Sequence, residues 1–222
     1  MPTIIQARKE LQARETVRKV LLICGILSSL LYAGTDILGG MLWKSYSFIS
    51  QPVSDLSAIG SPVRANVLPL FIIYDVLFIA FALGVWAFAG QKHAVRILGG
   101  LLVGYGVVNF LAIFTPEHLG EAPTMLGNTL HIIAAGVTVL LFLLQLGVGA
   151  FAFGKLFRLY SVGTLLTILV LGAYIFSGIN AGQLRPWIGV EERILIYSYM
   201  LWVGVLAIVL LRAERAQMQI AK

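Results

Sequence analysis

The chain has 222 residues, of which 59% are hydrophobic and only 12% charged, and its mean hydropathy is +0.92. Soluble domains carry about 25% charged residues, so this composition excludes an ordinary soluble domain and points to a membrane protein. The formal net charge of +6 is spread over connections between apolar runs rather than gathered on one surface, so it reads as an orientation signal and no nucleic-acid partner is expected.

In chain order, apolar runs occupy 20–42, 66–90, 95–115, 125–150, 157–179 and 193–212. Each is close to or above the roughly 20 residues that cross a hydrocarbon core as a helix. The runs are continuously apolar rather than alternating, which excludes a barrel. The expected architecture is all-α, a six-transmembrane-helix bundle over 20–212, with tails at 1–19 and 213–222. In the first tail Glu10 precedes Arg14, and Glu15 precedes Lys19, at i,i+4. That spacing predicts a helix. With Ile4, Ile5 and Leu11 it reads either as an amphipathic helix on anionic lipid or as a solvated extension of the first span. Of the 16 lysines and arginines, twelve flank one side of the bundle, from Arg8 to Lys222, and four the other: Lys44, Arg64, Arg185 and Arg193. This bias predicts a plasma-membrane protein with both termini in the cytoplasm. A lone cysteine, Cys24, allows no intramolecular disulfide and reads as a small buried hydrophobe.

The first outer connection is patterned: 47-SFISQPVSDLSAIGSPVR-64. On a helix, Ser50, Ser54, Ser57 and Ser61 form one row, while Ile49, Val53 and Leu56 form another. Ser50 is suited to cap a short amphipathic helix with Pro52 in its first turn, and Gly60 and Pro62 to end it. Five acids fall in outer connections: Asp55, Glu117, Glu121, Glu191 and Glu192.

Ionisable residues inside spans are costly, roughly 2.5–3.5 kcal/mol each on insertion scales. Asp36, Asp75 and His131, with Asn109, lie on four neighbouring helices roughly 9–14 Å below the outer boundary, counted at 1.5 Å per residue. Any one of them is explained by hydrogen-bonded helix packing. Four at a shared depth read as an outward-facing polar cavity. The stripe Gly25, Ser29, Ala33, Asp36, Gly40 should face the bundle because small residues let backbones approach. Ser54, Asp55, Ser57 and Arg64 from the first loop, with Glu192 and Arg193, should lie over the cavity as a lid. Asp55 or Glu192 is expected to pair with Arg193 or Arg64. The expected ligand is a lipid or small amphipathic molecule, and the expected partners are membrane lipids or another membrane protein.

Two alternatives share these residues. A zinc-dependent lipid hydrolase would draw ligands from His131, Asp36, Asp75 and His118, although there is no HxxxH or HExxH; otherwise no cofactor is expected. A proton-coupled transporter would use Asp36, Asp75 and His131 as a relay, but the inner half has no matching ionisable path. A serine nucleophile lacks its GxSxG elbow.

The run S-Q-P-V-S-D-L-S-A-I-G-S-P at 50–62, then Asn66-Val67-Leu68, His131 and 189-GVEERI-194, resembles an uncharacterised six-span family, domain of unknown function 998. The resemblance covers nearly the whole chain. It implies a prokaryotic-type integral membrane protein with six helices, and it implies no reaction.

Overall fold

The structure, a computed structural model, describes residues 4–120, 126–180 and 186–220. Seven helices follow in order: α1 (Ile4–Leu42), α2 (Ser54–Ser57), α3 (Arg64–Phe88), α4 (His93–Ala112), α5 (Leu126–Ala152), α6 (Lys155–Asn180) and α7 (Ile188–Ile220). All but α2 are long and apolar enough to cross a membrane. Among the described residues there is no strand, and one isolated parallel bridge joins Ile59 to His118. The all-α, six-span expectation is met.

The boundaries differ where polar residues join a span. α1 runs unbroken from Ile4 through the first apolar run, so the tail is a helical extension of the first span. The side chains of Ile4, Ile5 and Leu11 lie outside the described set, as do Glu121 and Arg185. α7 begins at Ile188, five residues before the apolar run, and so takes Glu192 and Arg193 into its first turns. It can start there because its exposed N–H groups find an acceptor. Gly189 and Val190 both donate to the Ile49 carbonyl, at 2.9 and 3.2 Å.

The first-loop helix also departs from expectation. It is a single turn, Ser54–Ser57, with Val53 at its N-cap and no side-chain cap. Ser50 does not cap it. The preceding residues close a separate turn in which Gln51 N–H donates to the Ser47 carbonyl at 2.9 Å and the Gln51 side-chain oxygen accepts from Ser47 N–H at 2.9 Å. A local side-chain-to-backbone bond of this kind competes with helix, and here it wins over residues 47–51.

The six spans form a ring in chain order. α1 packs on α3, α3 on α4, α4 on α5, α5 on α6, α6 on α7, and α7 closes back on α1. Short connections make consecutive helices antiparallel neighbours. The centre is filled by rings: Tyr74, Phe78 and Phe81 of α3, Tyr105 of α4, Phe142 of α5, and Tyr199 and Trp202 of α7, all at most 3% exposed. Phe142 and Tyr199 stack at 3.5 Å between centroids, and Phe78 meets Tyr105 edge-on at 4.7 Å. Buried Tyr and Trp need partners for their polar ends. Tyr74 and Tyr105 hydroxyls bond each other at 2.7 Å, Tyr199 donates to Gln145, and Trp202 donates to Ser161 at 2.8 Å.

The closing seam between α1 and α7 carries polar contacts at three levels. At the end that carries the first loop Arg193 meets Asp36. In the middle Ser29 donates to the Met200 carbonyl at 2.9 Å. At the other end Arg18 pairs with Glu214.

Candidate functional site

The end of the bundle that carries the first loop is organised around Arg193. Its Nε donates to Asp36 Oδ2 at 2.9 Å and its Nη2 to Oδ1 at 2.8 Å, a bidentate pair. Nη2 also donates to the Tyr46 hydroxyl at 2.5 Å. Nη1 reaches three carbonyls: Phe48 at 2.9 Å, Gln51 at 3.0 Å and Gly189 at 2.9 Å. Tyr197 donates to the same aspartate. The rings of Phe48 and Tyr46 lie 4.9 and 5.5 Å from the guanidinium carbon. Asp36 is 0% and Arg193 8% exposed. A buried ion pair is tolerable only when its remaining donors and acceptors are filled. The planar five-donor fork of arginine fills them here; a lysine would not.

This pair fastens the first loop to the bundle. Phe48, Gln51 and, through Tyr46, Pro52 are all held: the Tyr46 hydroxyl donates to the Pro52 carbonyl at 2.7 Å. Glu192 accepts from Val53 N–H at 2.5 Å. Val53, Leu56, Val63 and Val67 then form a small buried cluster against Tyr32, Trp43, Tyr46, Phe71 and Ile196. On its far side the loop bonds the α4–α5 connection: Ile59 N–H donates to Glu117 O at 2.7 Å, and Leu119 N–H to Ile59 O at 3.0 Å. The expected lid is therefore a plug anchored at both ends.

The sequence-derived site residues do not meet in one cavity. Asp36 goes to Arg193. Asp75 accepts from Asn109 Nδ2 at 2.5 Å. His131 Nε2 faces Glu117 at 3.7 Å. The layer thus separates into three pairs on different seams. Asp55 is buried and accepts from Gln51 Nε2 at 3.2 Å. Burial, with the charge of Glu117 adding to it, pushes the Asp55 carboxyl up to about 6, against the opposing Gln51 bond and Arg193 charge. Arg64 donates to the Ser57 carbonyl. The expected rim pair of Asp55 or Glu192 with Arg193 or Arg64 is replaced, because α7 packs beside α1 and offers Arg193 the deeper carboxylate. Ser57 and Ser61 donate to the loop's own carbonyls, of Ser54 at 3.3 Å and Leu56 at 2.8 Å. Ser54 is half-buried at the start of the single turn.

The donors considered for zinc are dispersed in the same way. His118 is held through its backbone, whose N–H donates to Asn128 Oδ1 at 2.8 Å. Among the described residues no three His, Cys, Asp or Glu side chains are grouped to hold a metal ion.

One cleft adjoins the Arg193 hub. It encloses about 460 Å³ and is lined by Phe48 and Ile49 from the loop and by Val190, Arg193, Ile194, Tyr197, Ser198 and Leu201 from α7. Its side is open: Ile49, Ile194 and Leu201 are 50, 47 and 62% exposed. Of the lining residues, the sequence offers only Arg193 as a site residue. A signal existed, since Val190, Ile194, Tyr197 and Leu201 fall at spacings of four, three and four on one helix row. With α7 apolar on every side, the spacing did not say which row is free.

Six apolar helices closed in a ring define a multi-pass helical membrane protein. The chain belongs to the family described as protein of unknown function (DUF998), which it matches over residues 26–209. No curated protein and no solved structure matches it.

Proposed function

We propose that the protein binds one lipid chain, or another amphipathic molecule, in the cleft between the first loop and α7. The observation that carries this reading is the cleft itself. Its 460 Å³ falls in the roughly 300–1,000 Å³ range of small-molecule sites, and its lining of apolar side chains with a few polar groups is typical of them. From Val190 to Leu201 the helix rises roughly 16 Å, about half the 30 Å hydrocarbon core. The cleft is thus about one leaflet deep and opens sideways, which suits an acyl chain lying along α7. Ser198, Tyr197 and the rim of Arg193 provide the few polar groups.

The ligand class is the one expected from the sequence; its seat moves from between the helices to the flank of α7. The hydrolase and transporter readings gain no support from the side-chain arrangement. Asp36, Asp75 and His131 are engaged in separate pairs, and the aromatic core fills the space that a path through the ring would need.

The test is lipid retention. Delipidated wild-type protein supplied with zwitterionic phosphatidylcholine is expected to carry about one lipid per chain by native mass spectrometry, and Ser198→Trp, which fills the cleft, is expected to lose it while keeping its thermal unfolding profile. A lipid-free wild type, or equal retention by the folded variant, overturns the proposal.

A further inference from the structure

At the opposite end of the bundle from the cleft, cations from two parts of the chain flank one ring. The Arg18 guanidinium of α1 lies 6.0 Å from the centroid of Phe88, and the Lys92 ammonium of the α3–α4 turn lies 5.7 Å from it. Arg14 stands one turn outward from Arg18 on the same helix face and is exposed. Arg96, in the first turn of α4, donates to the Gly90 carbonyl and so is bound back onto the turn. Glu214 of α7, 1% exposed, accepts from both Nε and Nη2 of Arg18.

Each group has a distinct part. Glu214 neutralises Arg18 and holds it against the ring, so Arg18 acts as a wall of the seam. Arg14, Lys92 and Arg96 are exposed. Lys92, the residue before α4, makes no side-chain cap bond, so the first N–H groups of α4 add a positive helix end beside it. Lys92, the N-terminus of α4 beside it, and Arg14 one turn out from Arg18 therefore lie along one seam, at the level where the apolar run of α1 gives way to charge. This is where lipid head groups lie, and basic pockets between transmembrane helices suit anionic ones.

We infer that the seam between α1 and the α3–α4 turn binds the phosphate head group of an anionic membrane lipid, with Lys92 and Arg14 as the principal contacts. This site is separate from the cleft on α7: it recognises a head-group charge, whereas the cleft takes a chain.

The experiment compares phosphatidylglycerol with phosphatidylcholine of the same chains, added to delipidated full-length protein and read by native mass spectrometry. Each cation near an anionic surface contributes roughly fivefold, so the pair supplies a preference of about 25-fold. The double variant Arg14→Gln, Lys92→Gln is expected to bring this close to parity, while Ser198→Trp keeps it. Millimolar inorganic phosphate is expected to leave the preference unchanged; displacement by phosphate would assign the seam to a free anion and overturn the lipid reading. Equal uptake of both lipids by wild-type protein, or an undiminished preference in the double variant, also overturns it. Arg14 and Lys92 are both exposed, so the double variant should unfold at the wild-type temperature.

Discussion

Arg193 makes six hydrogen bonds to five partners, one of them a carboxylate with no solvent exposure. Removing one partner of a buried pair costs far more than the pair contributes, because the other charge is stranded. Arg193→Ala is therefore expected to destabilise the protein by about 3–5 kcal/mol, read as a lower midpoint of thermal unfolding in detergent. Arg193→Lys should recover only a minor part, since an ammonium cannot span both carboxylate oxygens and the loop carbonyls. Asp36→Leu combined with Arg193→Met should recover more than the lysine does, since it leaves no charge unpaired. An Arg193→Ala protein as stable as wild type would remove this pair from its structural role. The sequence marks Asp36 as costly and places Arg193 among the residues lying over the cavity. It does not pair them, because 157 residues separate them and only ring closure brings α7 against α1.

At the scale of elements, the first loop owes its position to a residue on another helix. A Cβ at Gly189 would sit 2.3 Å from the Gln51 carbonyl oxygen and 2.6 Å from that of Phe48. Both are backbone atoms and cannot turn aside. Gly189→Ala is expected to cost about 1–3 kcal/mol by overpacking and to push the loop off α7. Hydrogen exchange at Val53, whose N–H is held by Glu192, should speed up, while that of core residues such as Phe78 and Phe142 changes less; unchanged exchange at Val53 would refute the clamp. The loop also shows where sequence patterning misleads. Of the apolar row, Val53 and Leu56 are buried at 2 and 0% exposed, while Ile49 is half exposed and lines the cleft. The serine row on a helix would turn one face to a neighbouring polar surface. Ser57 and Ser61 instead satisfy the loop's own carbonyls, as short polar side chains do wherever the backbone leaves regular structure.

At the scale of the whole molecule, the twelve-to-four division of basic residues predicts a single orientation. On a Cys24→Ser background, a cysteine replacing exposed Ser50 should react with an impermeant reagent from outside the cell. One replacing exposed Gln91 should react only after the membrane is opened. Labelling with the opposite sidedness would invert the assignment of both tails and place the cleft in the cytoplasmic leaflet.

The number of spans and their helical nature follow from composition and order alone, because a backbone in lipid must satisfy its own hydrogen bonds and leaves an apolar run as its trace. The costly polar residues are legible for the same reason: lipid penalises them wherever they stand. Their partners are not. A depth along a helix can be counted from sequence, but the direction in which a side chain faces depends on which helix lies beside it. Asp36, Asp75 and His131 share a layer by counting, yet they turn to Arg193, Asn109 and Glu117 on three separate seams. The cleft on α7 is likewise a product of packing: the first loop covers part of that helix and leaves the row from Val190 to Leu201 beside it open.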